Sequence, residues 1–153
     1  MSVAENLKKL GLTLPNIPTP VANYVPWKRD GNTIYLSGQG PRDKDGKHIT
    51  GTVGKDVTVE QAYEYAKLVG LNLLAAANAA AGGSLEKVEV LKVLGMVNAV
   101  PDFTNHPHVI NGASDLFVSV FGEAGRHARS AVGMGSLPGN ITVEIEAILE
   151  VRP

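Results

Sequence analysis

Arg129, Glu144 and Glu146 are charged residues in segments that otherwise read as core: "ARSAVGMG" carries an arginine into a short apolar run, and "ITVEIEAILEV" carries glutamates on alternate positions. A planar arginine fork can hold a carboxylate by two parallel hydrogen bonds, while a nearby glutamate handles a proton or orients water. The chemistry such a pair would suit is acid–base work on a small carboxylate. The plainer alternative is a surface salt bridge, which adds little stability.

Positioning decides between these. In the last segment Ile141, Val143, Ile145, Ala147, Leu149 and Val151 fall on one face of a strand, so Glu144, Glu146 and Glu150 fall on the other. A glutamate face ordinarily meets solvent. Leu137-Pro138-Gly139-Asn140 suits a turn with proline second and glycine third. If strands at 129 to 134 and 141 to 151 pair across it as a hairpin with an even-length loop, Arg129 shares the face of Glu144 and Glu146.

Other chemistries find no support. The chain has no P-loop, no G-x-G-x-x-G, no H-E-x-x-H and no G-x-S-x-G. It has no cysteine, which removes thiol nucleophiles, Cys-ligated zinc and disulfides together. His106 and His108 stand two apart in a Pro-containing loop, away from any larger ligand cluster, and with His48 and His127 they read as surface residues rather than metal ligands. Tyr24 and Trp27 suit a pocket wall or strand packing.

Lys and Arg number 14 against 15 Asp and Glu, a net charge of −1, so neither nucleic acid nor an anionic membrane is an expected partner. No apolar run reaches the roughly 18 residues of a membrane span. "MSVAENLKKLGLTLP" lacks a continuous apolar stretch and a small-residue cleavage site, and reads as cytoplasmic.

The elements that must carry these residues follow from period and punctuation. Residues 1–21 form an N-terminal extension with a short helix ending at Gly11 and a connector holding three of the nine prolines. Residues 22–153 form one domain. "NYVPWKR" and "TIYLSGQ" flank Gly31-Asn32 as a hairpin. Thr58-Val-Glu-Gln61 has capping-box spacing and starts a helix to about Ala81. "KVEVLKVLGMVNAV" is apolar at both parities, so its strand is covered on both faces, and an oligomer is expected to cover one. A helix with Ile110, Ala113, Phe117 and Phe121 on one face follows the loop "AVPDFTNHPH". The order ββαβαββ predicts an α+β fold with two helices on one face of a sheet.

The succession "NYVPW…GNTIYLSGQGP", "GTVGKDVTVEQA" and "ARSAVGMGSLPGNITVEIEA" resembles the Rid (reactive intermediate deaminase) family, also called the YjgF or L-PSP endoribonuclease family, from about residue 22 to 151. The resemblance implies a chorismate-mutase-like homotrimer with clefts between subunits. It implies hydrolysis of 2-imino acids, or of enamines such as 2-aminoacrylate, to a 2-keto acid and ammonia, with no metal or organic cofactor. Arg129 matches the carboxylate anchor and Glu144 the glutamate associated with water and the imine nitrogen. Tyr24 matches the cleft tyrosine, Ser37, Gly38 and Gln39 match the strand lining it, and Asn111 matches the helix asparagine at a spacing one residue longer. Tyr24 and Arg129 would reach one site from different subunits. The alternatives are a non-enzymatic trimer binding a small carboxylate such as a 2-keto acid, and an endoribonuclease. Ala131 stands where many deaminating members have cysteine, His127 where they usually have proline, and the loop 98 to 109 is longer.

Overall fold

A computed structural model describes residues 2–17, 19–20 and 22–153. The first hairpin pairs β1 (Trp27–Asp30) with β2 (Thr33–Gln39), closed at Asp30 and Thr33 by a turn in which Gly31 has a φ of 60°. Helix α2 (Val59–Ala80) starts where the Thr58 hydroxyl accepts from the Gln61 N–H at 3.1 Å and the Gln61 side chain accepts from the Thr58 N–H at 2.9 Å. This is the capping box, and it satisfies two free donors of the first turn.

Strand β3 (Val88–Asn98) leads to α3 (His106–Phe121), a short 3-10 turn (Gly122–Gly125), β4 (Ala128–Met134) and β5 (Val143–Val151). The sheet order is β1-β2-β5-β3-β4, with β5 antiparallel to both neighbours and β4 parallel to β3. The hairpin expected between β4 and β5 does not form, because β3 lies between them. Parallel strands need a crossover, and α3 supplies it between β3 and β4, so the Pro138-Gly139 turn spans the end of the sheet instead of joining adjacent strands. A second expectation also changes: α3 begins at His106, so His106 and His108 are helical, and Pro107 sits in the first turn, where its missing N–H costs nothing.

Helices α2 and α3 cover one sheet face. Val93 and Val97 of β3 and Val143, Ile145, Ala147 and Leu149 of β5 point into this core, and Ala62, Ala66, Ala76, Ala77 and Ala80 let α2 approach closely. At the crossing of α2 and α3 a β-carbon on Gly112 would land on the Tyr63 carbonyl oxygen. Helix α1 (Val3–Lys9) joins the same core through Val3, 8 % exposed, and its Asn6 amide donates to the Val120 carbonyl at 2.9 Å. The Glu86 carboxylate accepts from the Val3 and Ala4 N–H groups, both at 3.0 Å.

The other sheet face carries Tyr35 and Val132, 47 % and 37 % exposed, with Leu94 and Ile148 partly exposed among Glu144, Glu146 and Glu150. Of the two faces of β3, the helices cover one and the other is open in the single chain. Among the described residues no helix is long and apolar enough to cross a membrane.

Candidate active site

The pairing of β2 with β5 slips between Leu36 and Gln39: Leu36 faces Ala147, whereas Gln39 faces Ile145, so β2 holds one extra residue. Such a bulge re-aims the strand. Here it lays Gly38 against Glu144, where a β-carbon at 38 would stand 2.7 Å from the Glu144 Oε2. Ser37 donates its hydroxyl to the Val25 carbonyl at 2.5 Å, and its N–H donates to the Pro26 carbonyl at 3.0 Å, which fastens the segment carrying Tyr24 to the bulge.

A cavity of about 220 Å³ opens there, with Tyr24, Gly38, Gln39, Arg42, His48 and Glu144 in its wall. Partial burial pushes the Glu144 carboxyl above its ordinary range, and the neighbouring Glu146 charge adds to the effect. A carboxyl raised in this way is better matched to proton transfer near neutrality. His48 is held below its ordinary value by burial and then by Arg42. Arg42 spends one N–H on the Gly46 carbonyl at 2.8 Å.

Arg129 lies elsewhere. It is in register with Val93 and, through β3, with Ala147, which puts it on the helix face, whereas Glu144 and Glu146 align with Met96 and Leu94 on the open face. The expected sharing of one face within a chain is therefore wrong, and the inserted β3 is the reason. The Arg129 guanidinium donates to the Ser114 hydroxyl at 2.9 Å and, more weakly, to the Pro107 carbonyl at 3.4 Å. Asn111 sits four residues after Pro107 and three before Ser114, on the same stripe of α3.

Of the residues picked out in the sequence, the fold groups Tyr24, Gly38, Gln39 and Glu144 around one cavity and ties Ser37 to its rim, and it groups Asn111 with Arg129 at the other edge of the sheet. Arg42 and Ser114 are not among the residues picked out in the sequence, and His48, read there as a surface residue, lies in the cavity wall. Ser114 was within reach of helical periodicity, being three residues from Asn111. His127 is no surface residue: it is half-buried with both ring nitrogens engaged. Among the described residues no group of three or more His, Cys, Asp or Glu side chains is placed to hold a metal ion.

The family model described as "YjgF/chorismate_mutase-like, putative endoribonuclease" matches residues 5–148. The chain belongs to the YjgF/Rid family. The match begins within α1, at residue 5. Protein TCP17 of Trypanosoma cruzi is 42 % identical to this Rid-family chain over 98 % of it and 94 % of the relative. A 2-iminobutanoate/2-iminopropanoate deaminase of Dermatophagoides farinae is 29 % identical over 92 % and 95 %. Among solved structures, the Agrobacterium tumefaciens protein Atu1372, whose function is described as unknown, shares 49 % identity and a TM-score of 0.89 over 99 % of this chain and 94 % of that one.

Proposed function

We propose that this Rid-family protein is a 2-imino acid deaminase, working as a homotrimer whose sites lie between subunits. The observation that carries this reading is the separation of Glu144 and Arg129 onto opposite faces of one sheet. Each half is chemically incomplete, and both consist of residues that the resemblance assigns to a single site. A neighbour's Arg129 and Asn111 beside the cavity of Tyr24, Gly38, Gln39 and Glu144 would complete it, and the open sheet face with Tyr35 and Val132 would be covered in the same assembly. The similarity to a named 2-iminobutanoate/2-iminopropanoate deaminase supports the substrate class.

In this reaction Arg129 clamps the substrate carboxylate through its two-pronged edge. Water attacks the imine carbon while the Glu144 carboxylate takes a proton from it and passes that proton to the nitrogen, which regenerates the carboxylate. The resulting carbinolamine gives its hydroxyl proton to Glu144, which delivers it to the amino group as the C–N bond breaks, so ammonia departs and the 2-keto acid remains. An imine conjugated to a carboxylate already hydrolyses in water, so positioning and proton transfer worth about 10²- to 10⁴-fold suffice.

The test generates 2-iminopropionate and 2-iminobutanoate in situ with an amino-acid oxidase, with semicarbazide competing for the imine. Wild type should divert imine to keto acid and Arg129→Ala should not; full activity in that variant would sink the proposal. The departures at His127 and Ala131 favour one competing reading, a trimer that binds a small carboxylate without turning anything over. Calorimetric binding of a 2-keto acid in the absence of imine hydrolysis would select it. The endoribonuclease reading shares its name with the family, but the net charge of −1 gives it no electrostatic support.

A further inference from the structure

Ser114, His127 and Arg129 come together from α3, the approach to β4 and β4 itself. The His127 Nδ1 stands 2.7 Å from the Gly125 carbonyl oxygen, and its Nε2 stands 2.9 Å from the Ser114 hydroxyl. A carbonyl oxygen accepts only, so Nδ1 carries the proton of the neutral ring and Nε2 must accept. The Ser114 hydroxyl therefore donates to Nε2, and its lone pairs are left to accept from the Arg129 Nη1 at 2.9 Å. All donors run one way, from guanidinium to hydroxyl to imidazole to main chain. The Phe117 ring packs edge-on to the imidazole with centroids 5.8 Å apart, which fixes the plane of the ring.

A serine hydroxyl against a histidine nitrogen also describes a nucleophile with its base. Arg129 argues against that use, because its N–H occupies the serine oxygen that would have to attack. The same contact makes sense as support for a long, flexible side chain, which otherwise loses rotamer freedom each time it binds a ligand.

We infer that His127 and Ser114 are positioning residues that hold the Arg129 guanidinium ready for a carboxylate. The inference rests on reading Arg129 as the substrate anchor. His127 orients the Ser114 hydroxyl, Ser114 fixes Nη1 of the guanidinium while the Pro107 carbonyl more weakly engages Nη2, and the remaining N–H groups are presented in a set direction. His127, acting through Ser114, thus gives this chain a means of stiffening the anchor.

Two measurements test it. Guanidinium rotation of Arg129, followed by nitrogen-15 NMR with its signals assigned by their loss in Arg129→Lys, needs no ligand. Slow rotation in wild type and fast rotation in both His127→Leu and Ser114→Ala is expected. In the imine assay the same variants should raise KM about tenfold while kcat stays within about twofold, the loss of one charge-assisted hydrogen bond's worth of preorganisation. His127→Gln, whose amide oxygen can accept from Ser114, and Ser114→Thr should restore much of the lost affinity. Equal guanidinium rotation in wild type and both variants would overturn the inference, whether or not wild type hydrolyses imines. Slow rotation in a wild type without hydrolysis would leave the positioning role standing and discard only the deaminase reading.

Discussion

The Glu144 carboxylate lies over the α-carbon of Gly38, close enough that a methyl group there would meet Oε2 at 2.7 Å. The obstacle is the far end of a flexible side chain, so Gly38→Ala is accommodated by moving the carboxylate while the sheet stays intact. A shift of this size at the reacting group costs up to about 10²-fold in rate. We expect Gly38→Ala to melt near the wild-type temperature and to lose at least about tenfold in kcat for 2-iminobutanoate hydrolysis. Unchanged kcat would mean that the position of Glu144 is immaterial to turnover.

Gly112 gives the opposite outcome. Its added β-carbon would strike the Tyr63 carbonyl oxygen, a backbone atom of α2 that cannot swing aside. Gly112→Ala should therefore separate the helices and destabilise by about 1–3 kcal/mol, read as a drop in the denaturant midpoint.

The separation of Arg129 from Glu144 makes a prediction about mixtures. Arg129→Ala and Glu144→Gln should each be inactive alone. When equal amounts are unfolded together and refolded, a cyclic trimer places an intact Arg129 beside a neighbour's intact Glu144 at about one site in four, so about a quarter of wild-type activity should return. A mixture as inactive as its parts would place the carboxylate anchor within one chain, and Arg42, already in the cavity wall, would be the residue to test next.

The raised Glu144 carboxyl has a consequence for stability. Its folded value lies above its unfolded one, so the favourable contribution is fully present below the unfolded range and is lost as pH rises through the folded value. Glu144→Gln should thus melt higher than wild type at about pH 8, and the difference should vanish towards about pH 3, below the unfolded value, where both side chains are neutral in both states. A melting difference constant across that window would show that the carboxyl is not perturbed.

Glu86 runs in the other direction. The Val3 and Ala4 N–H groups hold its carboxyl below the usual carboxylate range, so its support of α1 is present above the unfolded value and lost as pH falls through the folded one. Amide exchange over residues 3–10 should speed up in Glu86→Gln at neutral pH while exchange in β5 is unaltered. Equal protection of α1 in variant and wild type would leave the contact without a role.

What the sequence disclosed and what it concealed divide by distance along the chain. The alternation of β5, the Gly31-Asn32 turn and the Thr58–Gln61 capping box are set by neighbours within four residues, and each appears where its pattern places it. The partner of β4 is not set that way. A Leu-Pro-Gly turn is compatible with a hairpin, but β3 arrives from some 40 residues earlier and takes the place beside both strands. Tertiary packing also hid the role of His127: its burial depends on Phe117 and Ser114 of a helix that packs against it, and no spacing in "GRHARS" reports that.

The strand order has a consequence for how the molecule comes into being. β5 is last of the strands in chain order and middle of the five in space, flanked by β2 and β3. Until residues 143–151 leave the ribosome, the first hairpin and the β3-α3-β4 unit are two fragments with bare edges and no shared ladder. Closing the gap requires β2 to meet a segment more than 100 residues away, as in the pairing of Thr33 with Glu150. Contacts so distant in sequence form slowly. The strand that brings Glu144 is therefore also the one that joins the two fragments into a single sheet and covers the edges through which they could aggregate.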